Sequence, residues 1–215
     1  MAFTDFTHTK KVKELFPETI VRQKEFLPPN FPPFHIENSF ENDIKFSVQV
    51  YHSSEAFAER FLISPIINKV WQQHKKLNVW SQTFIKADDK LQGRPDFLVS
   101  PVYESQFNFL SLPLLVSVEA KQENFAAGWG QCLAEMIACQ KLNNNHHIII
   151  YGMVSTGKYW EFAKLKKNIF TQDTRNYSIF DLKTLMSAVD YVFDLAEKEI
   201  PKVDASVMLP LDENE

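Results

Sequence analysis

The sequence predicts an α/β fold, a central mixed β-sheet flanked by helices. Three observations carry that expectation. Segments with helical apolar spacing alternate with short runs of strand character. The run HIIIYGMV at 147–154 is apolar almost throughout, which suits a central strand covered on both faces. The segment order is helix, three strands, helix, two strands, helix, and a sheet between helices is the economical way to bury those faces.

The elements follow in order. Residues 1–52 carry little periodicity, and EFLPPNFPPFHIEN within them holds four of the eleven prolines. Proline lacks the N–H that a helix interior requires, so this segment is expected to be an extended arm packed on the core, anchored by Phe26, Phe31 and Phe34. From Ser53 to about Leu77 the pattern is helical. Ser53 or Ser54 serves as cap, Glu55 sits in the first turn, Phe57, Phe61 and Leu62 form the apolar stripe, and Pro65 kinks or splits the helix. Residues 79–86 and 94–100 read as two strands joined by the turn ADDKLQG, and 112–121 as a third. A helix over 126–142 places Trp129, Leu133, Met136 and Ile137 at core spacing. Strands at 147–154 and 158–165 follow, joined by a Ser-Thr-Gly turn. Leu182, Leu185, Met186, Val189, Val192, Phe193 and Ala196 then mark a C-terminal amphipathic helix that ends before Pro201. The domain proper is expected over 53–200, with an acidic, loosely held tail over 201–215.

Bulk properties narrow the function classes. A chain of 215 residues, 45% apolar and 23% charged, suits one globular domain. No run approaches the roughly 18 apolar residues of a membrane span. The start, MAFTDFTHTKKVKE, lacks the apolar stretch of a secretion signal, so a cytoplasmic protein without membrane contact is expected. Cys132 and Cys139 lie about two helical turns apart, roughly 10 Å, which is too far for a disulfide. With no CxxC pair present, a structural zinc site is not expected either. The net charge of −4 disfavours a protein that simply coats nucleic acid, but it leaves room for an enzyme with a locally basic cleft.

Three charged residues stand where strand reasoning would place apolar ones. Asp96 falls in RPDFLVS, and Glu119 and Lys121 fall two apart in VSVEAK. Alternation along a strand puts Glu119 and Lys121 on one face and Val116, Val118 and Ala120 on the other. If the two strands are neighbours, Asp96 and Glu119 converge with Lys121 beside them. Two hard carboxylate oxygens and the Ala120 carbonyl suit Mg²⁺, with Mn²⁺ as a substitute. Such an ion activates a water and offsets phosphate charge, while Lys121 orients the water or stabilises the transition state. The competing readings are a turn residue for Asp96 and an exposed strand-end ion pair for Glu119 and Lys121.

The pattern Pro95-Asp96 followed by Glu119-Ala120-Lys121 resembles the PD-(D/E)xK nuclease superfamily, over roughly residues 53–165. The resemblance implies a restriction-endonuclease-like core and a metal-dependent endonuclease that hydrolyses phosphodiester bonds. Nucleic acid, DNA first, is then the partner. It assigns Asp96 and Glu119 to the metal, with Glu55 or else Glu59 completing the shell, and Lys121 to catalysis. Gln131, in GWGQCLAEM, matches a glutamine that many members carry on the following helix. The 22 residues between Asp96 and Glu119 depart from a tight hairpin and require an inserted loop. Cutting duplex DNA would call for a homodimer. The alternative is a non-catalytic nuclease-fold module that binds nucleic acid or a protein partner. Outside the motif, Lys164, Lys166 and Lys167 form either a phosphate-contacting edge or a solvated face. Tyr159 and Trp160 suit base stacking or hairpin packing. His146 and His147 suit capping or solvent-facing roles, because adjacent strand residues point to opposite faces.

Overall fold

Only a strand covered on both faces can bury every side chain, and β8 (Ile150–Ser155) does so. The computed structural model of the chain describes residues 1–50, 54–103, 109–121, 124–200 and 208–210. In it β8 lies between β7 (Val116–Ala120), which is parallel to it, and β9 (Tyr159–Lys166), which is antiparallel. Beyond β7 come β5 (Phe97–Pro101) and β2 (Leu77–Ser81), each antiparallel to its inner neighbour. Beyond β9 come β10 (Ile169–Gln172), antiparallel, and β1 (Ile20–Gln23), parallel to β10. The two-residue β11 (Tyr177–Ser178) pairs with the start of β9 and completes an eight-stranded mixed sheet. Two small ladders stand apart, β3 (Ile85–Asp88) with β4 (Leu91–Gly93) and β6 (Phe109–Ser111) with β12 (Met208–Pro210).

Helices cover both faces, as the sequence predicts. Helix α5 (Phe125–Leu142) lies against β7 and β8, and α1 (Thr9–Leu15) packs on its outer side. Every residue of α5 from Gly128 to Gln140 is buried, because the sheet lies below it and the N-terminal segment above. Across the sheet, α4 (Ser64–Trp71) and α6 (Leu182–Glu197) pack on each other and on β2 and β8 respectively. Among the described residues no helix is long and apolar enough to cross a membrane. Both cysteines are free and buried on α5.

The departures from expectation have local causes. The first 50 residues are more than an arm. Phe3, Phe6, Val12 and Phe16 are buried in the core, α2 (Asn38–Gln49) is helical, and β1 extends the sheet. Proline excludes regular structure only around 28–33, where none forms, and Phe26, Phe31 and Phe34 pack on the core there. The helix predicted from Ser53 to Leu77 runs as α3 (Glu55–Ala58), a π turn (Glu59–Ile63) and α4. Ser54 caps it by accepting from the Phe57 N–H. At Pro65 there is no sharp break. The wider turn lets Ser64 N–H reach Glu59 O, and Pro65 falls in the first turn of α4, where its missing donor costs least. The strand predicted over 79–86 is split, because Gln82 takes a φ of 53° and turns the chain out of β2. Strands β10 and β11 carry no signal that the sequence reveals, and the tail outside Met208–Pro210 lies beyond the described residues.

Candidate functional site

Strands β5 and β7 are antiparallel neighbours in which Phe97 pairs with Val118. One step further along the same register, Asp96 comes opposite Glu119, and residues directly opposite share a face. Asp96 therefore lies one residue before β5 rather than inside it, where the sequence places it. Its carboxylate is fixed twice. The Ala120 N–H donates to Oδ2 at 2.7 Å, and the Gln82 amide donates to Oδ1 at 2.7 Å. The left-handed turn at Gln82 aims that amide, and the main-chain N–H of Gln82 also donates to Asp96 O at 3.1 Å.

Glu119 is 1% exposed. Lys121 Nζ stands 2.5 Å from its Oε1 and 3.7 Å from Glu55 Oε1, so the ammonium spans a buried acid and a half-exposed one. The stem of Lys121 lies across α5 at Gly128, where a Cβ would fall 3.1 Å from Lys121 Cγ and 2.5 Å from Val154 Cγ1. Glu119 Oε2 is buried without a hydrogen-bond partner among the described residues. Beneath Glu119, Glu135 of α5 is fully buried, accepts from Ser117 Oγ at 2.6 Å, and accepts from Gln131 Nε2 at 3.2 Å. Ser117, Glu119 and Lys121 thus line the α5 face of β7, in the alternation the sequence predicts.

Burial dominates the electrostatics. It pushes the Glu119 carboxyl well above the usual carboxylate range, aided by Glu135 and Asp96 and opposed by Lys121. Burial also raises Asp96, against the Ala120 N–H, Lys121 and Gln82. It raises Glu135 to about 7. Glu59 is raised by burial and by Asp96. For Lys121, burial works against the charge, but Glu119, Glu55 and Asp96 outweigh it and hold the ammonium above its ordinary value. Asp96 lies within electrostatic reach of Glu55, Glu59, Glu119 and Glu135, so five carboxyl groups are linked through it, and among the described residues Lys121 pairs with Glu119 and Glu55. Among the described residues the cluster holds more carboxyl groups than cations.

A hard divalent cation suits that deficit, because the donors are all oxygen and the orphaned Glu119 Oε2 lacks a partner. The candidate ligands are Asp96, Glu119 and the Ala120 carbonyl. Among the described residues no three His, Cys, Asp or Glu side chains form a ready ligand set by themselves.

Asp96, Glu119, Ala120, Lys121, Glu55 and Glu59 are brought together. Gln131 is not among them, since its 6%-exposed amide supports Glu135 one layer behind Glu119. Sequence reasoning missed Gln82, Ser117 and Glu135. The available signal for Glu135 was an acid inside an otherwise apolar helix, where burying a charge demands partners. Gln82 carried none, because its role depends on strand register. Trp160 is fully buried and packs in the core, whereas Tyr159 is exposed. His146 and His147 are exposed, as expected. No protein-family model and no curated protein sequence matches the chain.

Proposed function

We propose that the protein is a metal-dependent endonuclease of the PD-(D/E)xK type with a restriction-endonuclease-like core, hydrolysing phosphodiester bonds, in DNA first. The observation that carries this reading is the opposition of Asp96 and Glu119 across neighbouring strand ends, with Lys121 Nζ 2.5 Å from Glu119. Asp96 and Glu119, with the Ala120 carbonyl, would hold Mg²⁺ or Mn²⁺, and Glu55 or Glu59 would complete the shell from the helix above. The ion supplies a bound water of lowered pKa and offsets charge on the scissile phosphate.

The remaining steps belong to the chain. The Ala120 N–H and Gln82 hold both oxygens of Asp96, so the carboxylate enters the reaction already oriented. Lys121 donates a charge-assisted hydrogen bond to the phosphate oxygen on which charge builds. Its ion pair with Glu119 keeps the ammonium in place before substrate arrives. Glu135 and Ser117 fill the space behind Glu119 and keep bulk water from that side.

The test is a cleavage screen on plasmid, single-stranded DNA and RNA with Mg²⁺ or Mn²⁺, against a chelator control. DNA cleavage should require metal. Glu119→Ala and Lys121→Ala should each abolish it while circular dichroism stays that of the parent. Cleavage that survives both substitutions removes the site assignment. Binding of DNA without cleavage, and without heat on Mg²⁺ titration, would instead mark a module that binds but does not cut. If duplexes are cut on both strands, the expected active form is a homodimer with one site per strand.

A further inference from the structure

Four basic side chains gather at the other end of the sheet. Arg22 lies on β1, Lys24 just beyond it, and Lys164 and Lys166 on β9. Arg22 pairs with Thr171, which pairs with Lys164, while Ile20 and Ile169 continue the parallel row to Lys166. Arg22 and Lys164 therefore share one face across three strands, about 10 Å at strand spacing. Alternation puts Lys24 and Lys166 on that face too. It is the face opposite α5. β7 lies two strand intervals, about 10 Å, from β9 and four, about 19 Å, from β1, and its acids face α5, so the cluster lies outside the cleavage centre.

Among the described residues the cluster is without a paired acid. Arg22, Lys24 and Lys166 are exposed and Lys164 is half-buried. Among the described residues none of the four forms an ion pair. Arg22 Nε donates to Thr171 Oγ1, and Lys164 Nζ stands 4.7 Å over the Phe26 ring. Burial lowers Lys164 from its ordinary value, and the neighbouring Arg22, Lys166 and Lys24 lower it further. Exposed Glu25 follows Lys24, and Asp173 is the acid whose charge reaches Lys164, but its oxygens are already occupied. It accepts from the Phe26 and Leu27 N–H groups and from Arg175. In a chain of net charge −4, four neighbouring cations that form no ion pair among the described residues make a local excess of positive charge. Like charges so arranged are relieved by a partner that carries many spaced anions.

We propose that this face binds the phosphate backbone of nucleic acid away from the scissile bond. The choice of nucleic acid rests on the proposed nuclease reading; the cationic face itself does not. The test is binding of a 30-bp duplex, in chelator, across a salt series. Lys24→Glu with Lys166→Glu is the first variant, because both side chains are exposed and the core is untouched. Arg22→Glu with Lys164→Glu is the second. Lys10→Glu with Lys13→Glu, on α1, is the charge-matched control.

Each patch pair should weaken binding at least about tenfold and lower the salt slope by about two, one for every phosphate that is no longer neutralised, whereas the control pair should leave the slope alone. A slope unchanged in the patch pairs, or lowered equally by the control, overturns the proposal. So does a patch-dependent preference for anionic phosphatidylserine vesicles over the duplex. Patch-dependent binding by a protein that cuts nothing would sink the nuclease reading alone. Cleavage together with patch-independent binding would sink this proposal alone.

Discussion

His74 sits between α4 and β2, 4% exposed, with Nε2 2.9 Å from Asp190 Oδ1 and Nδ1 3.1 Å from Glu197 Oε1. Ionised carboxylates only accept, so a ring bonded to two of them must carry both protons. The two acids favour the imidazolium form of His74, which ties the start of β2 to α6, with the Phe193 ring packed 5.4 Å away. Asp194, Glu37 and His35 line the same cavity of about 460 Å³. Burial alone would lower the His74 pKa, but the bonds and charges of Asp190 and Glu197 outweigh it and raise it. A raised folded pKa adds stability that is fully present below the ordinary value of about 6.5 and is lost as pH rises through the folded pKa.

Removing one partner of a buried ion pair costs about 3–5 kcal/mol, and the lower figure applies here because both acids are about a fifth exposed. His74→Gln should therefore cost about 3 kcal/mol, or about 6–12 °C in Tm for a domain of this size. Thermal melts of parent and variant between pH 5.5 and 9 provide the assay. The gap should be widest at the acid end and close as pH rises above the folded pKa. A gap below about 1 kcal/mol, or a His74 ring that titrates below pH 6.5 by NMR, would refute the imidazolium argument.

Two further substitutions test how the site and its cover are built. Gly130→Ala would place a Cβ 2.3 Å from His8 N and Phe6 O, both main-chain atoms that cannot yield by rotating. It should cost about 1–3 kcal/mol, and limited proteolysis should reach the first 16 residues faster; unchanged protection there would mean that the segment does not depend on its seat on α5. Gln82→Gly keeps the positive φ but removes the amide that holds Asp96 Oδ1. Metal-dependent cleavage should slow about 10- to 100-fold with little change in Tm, and an unaltered rate would show that Asp96 needs no such support.

Features that depend on near neighbours in the chain were legible from the residues. The periodicity of α6, the apolar run of β8 and the cap at Ser54 each depend on side chains within a turn or two; α6 appears where expected, Ser54 is one of the two expected caps, and β8 begins three residues later than its run. The alternation that sets Glu119 and Lys121 on one face of β7 was legible for the same reason. β1 was not, because its four residues become a strand only by pairing with β10, nearly 150 positions away. The π turn before Pro65 was hidden for a related reason, since proline announces a lost donor but not how the helix will absorb it.

By itself, then, the sequence determined the type and order of most elements and which acids and amine are candidates for chemistry, because hydrophobic period and side-chain alternation are local properties. Tertiary structure decided what those groups meet. Register set Asp96 against Glu119 and brought Gln82 to it, α5 placed Glu135 under the site, and sheet order gathered Arg22 and Lys24 with Lys164 and Lys166. The physical reason is that a buried or crowded charge is compensated by groups brought near in space, and chain spacing does not specify which groups those are.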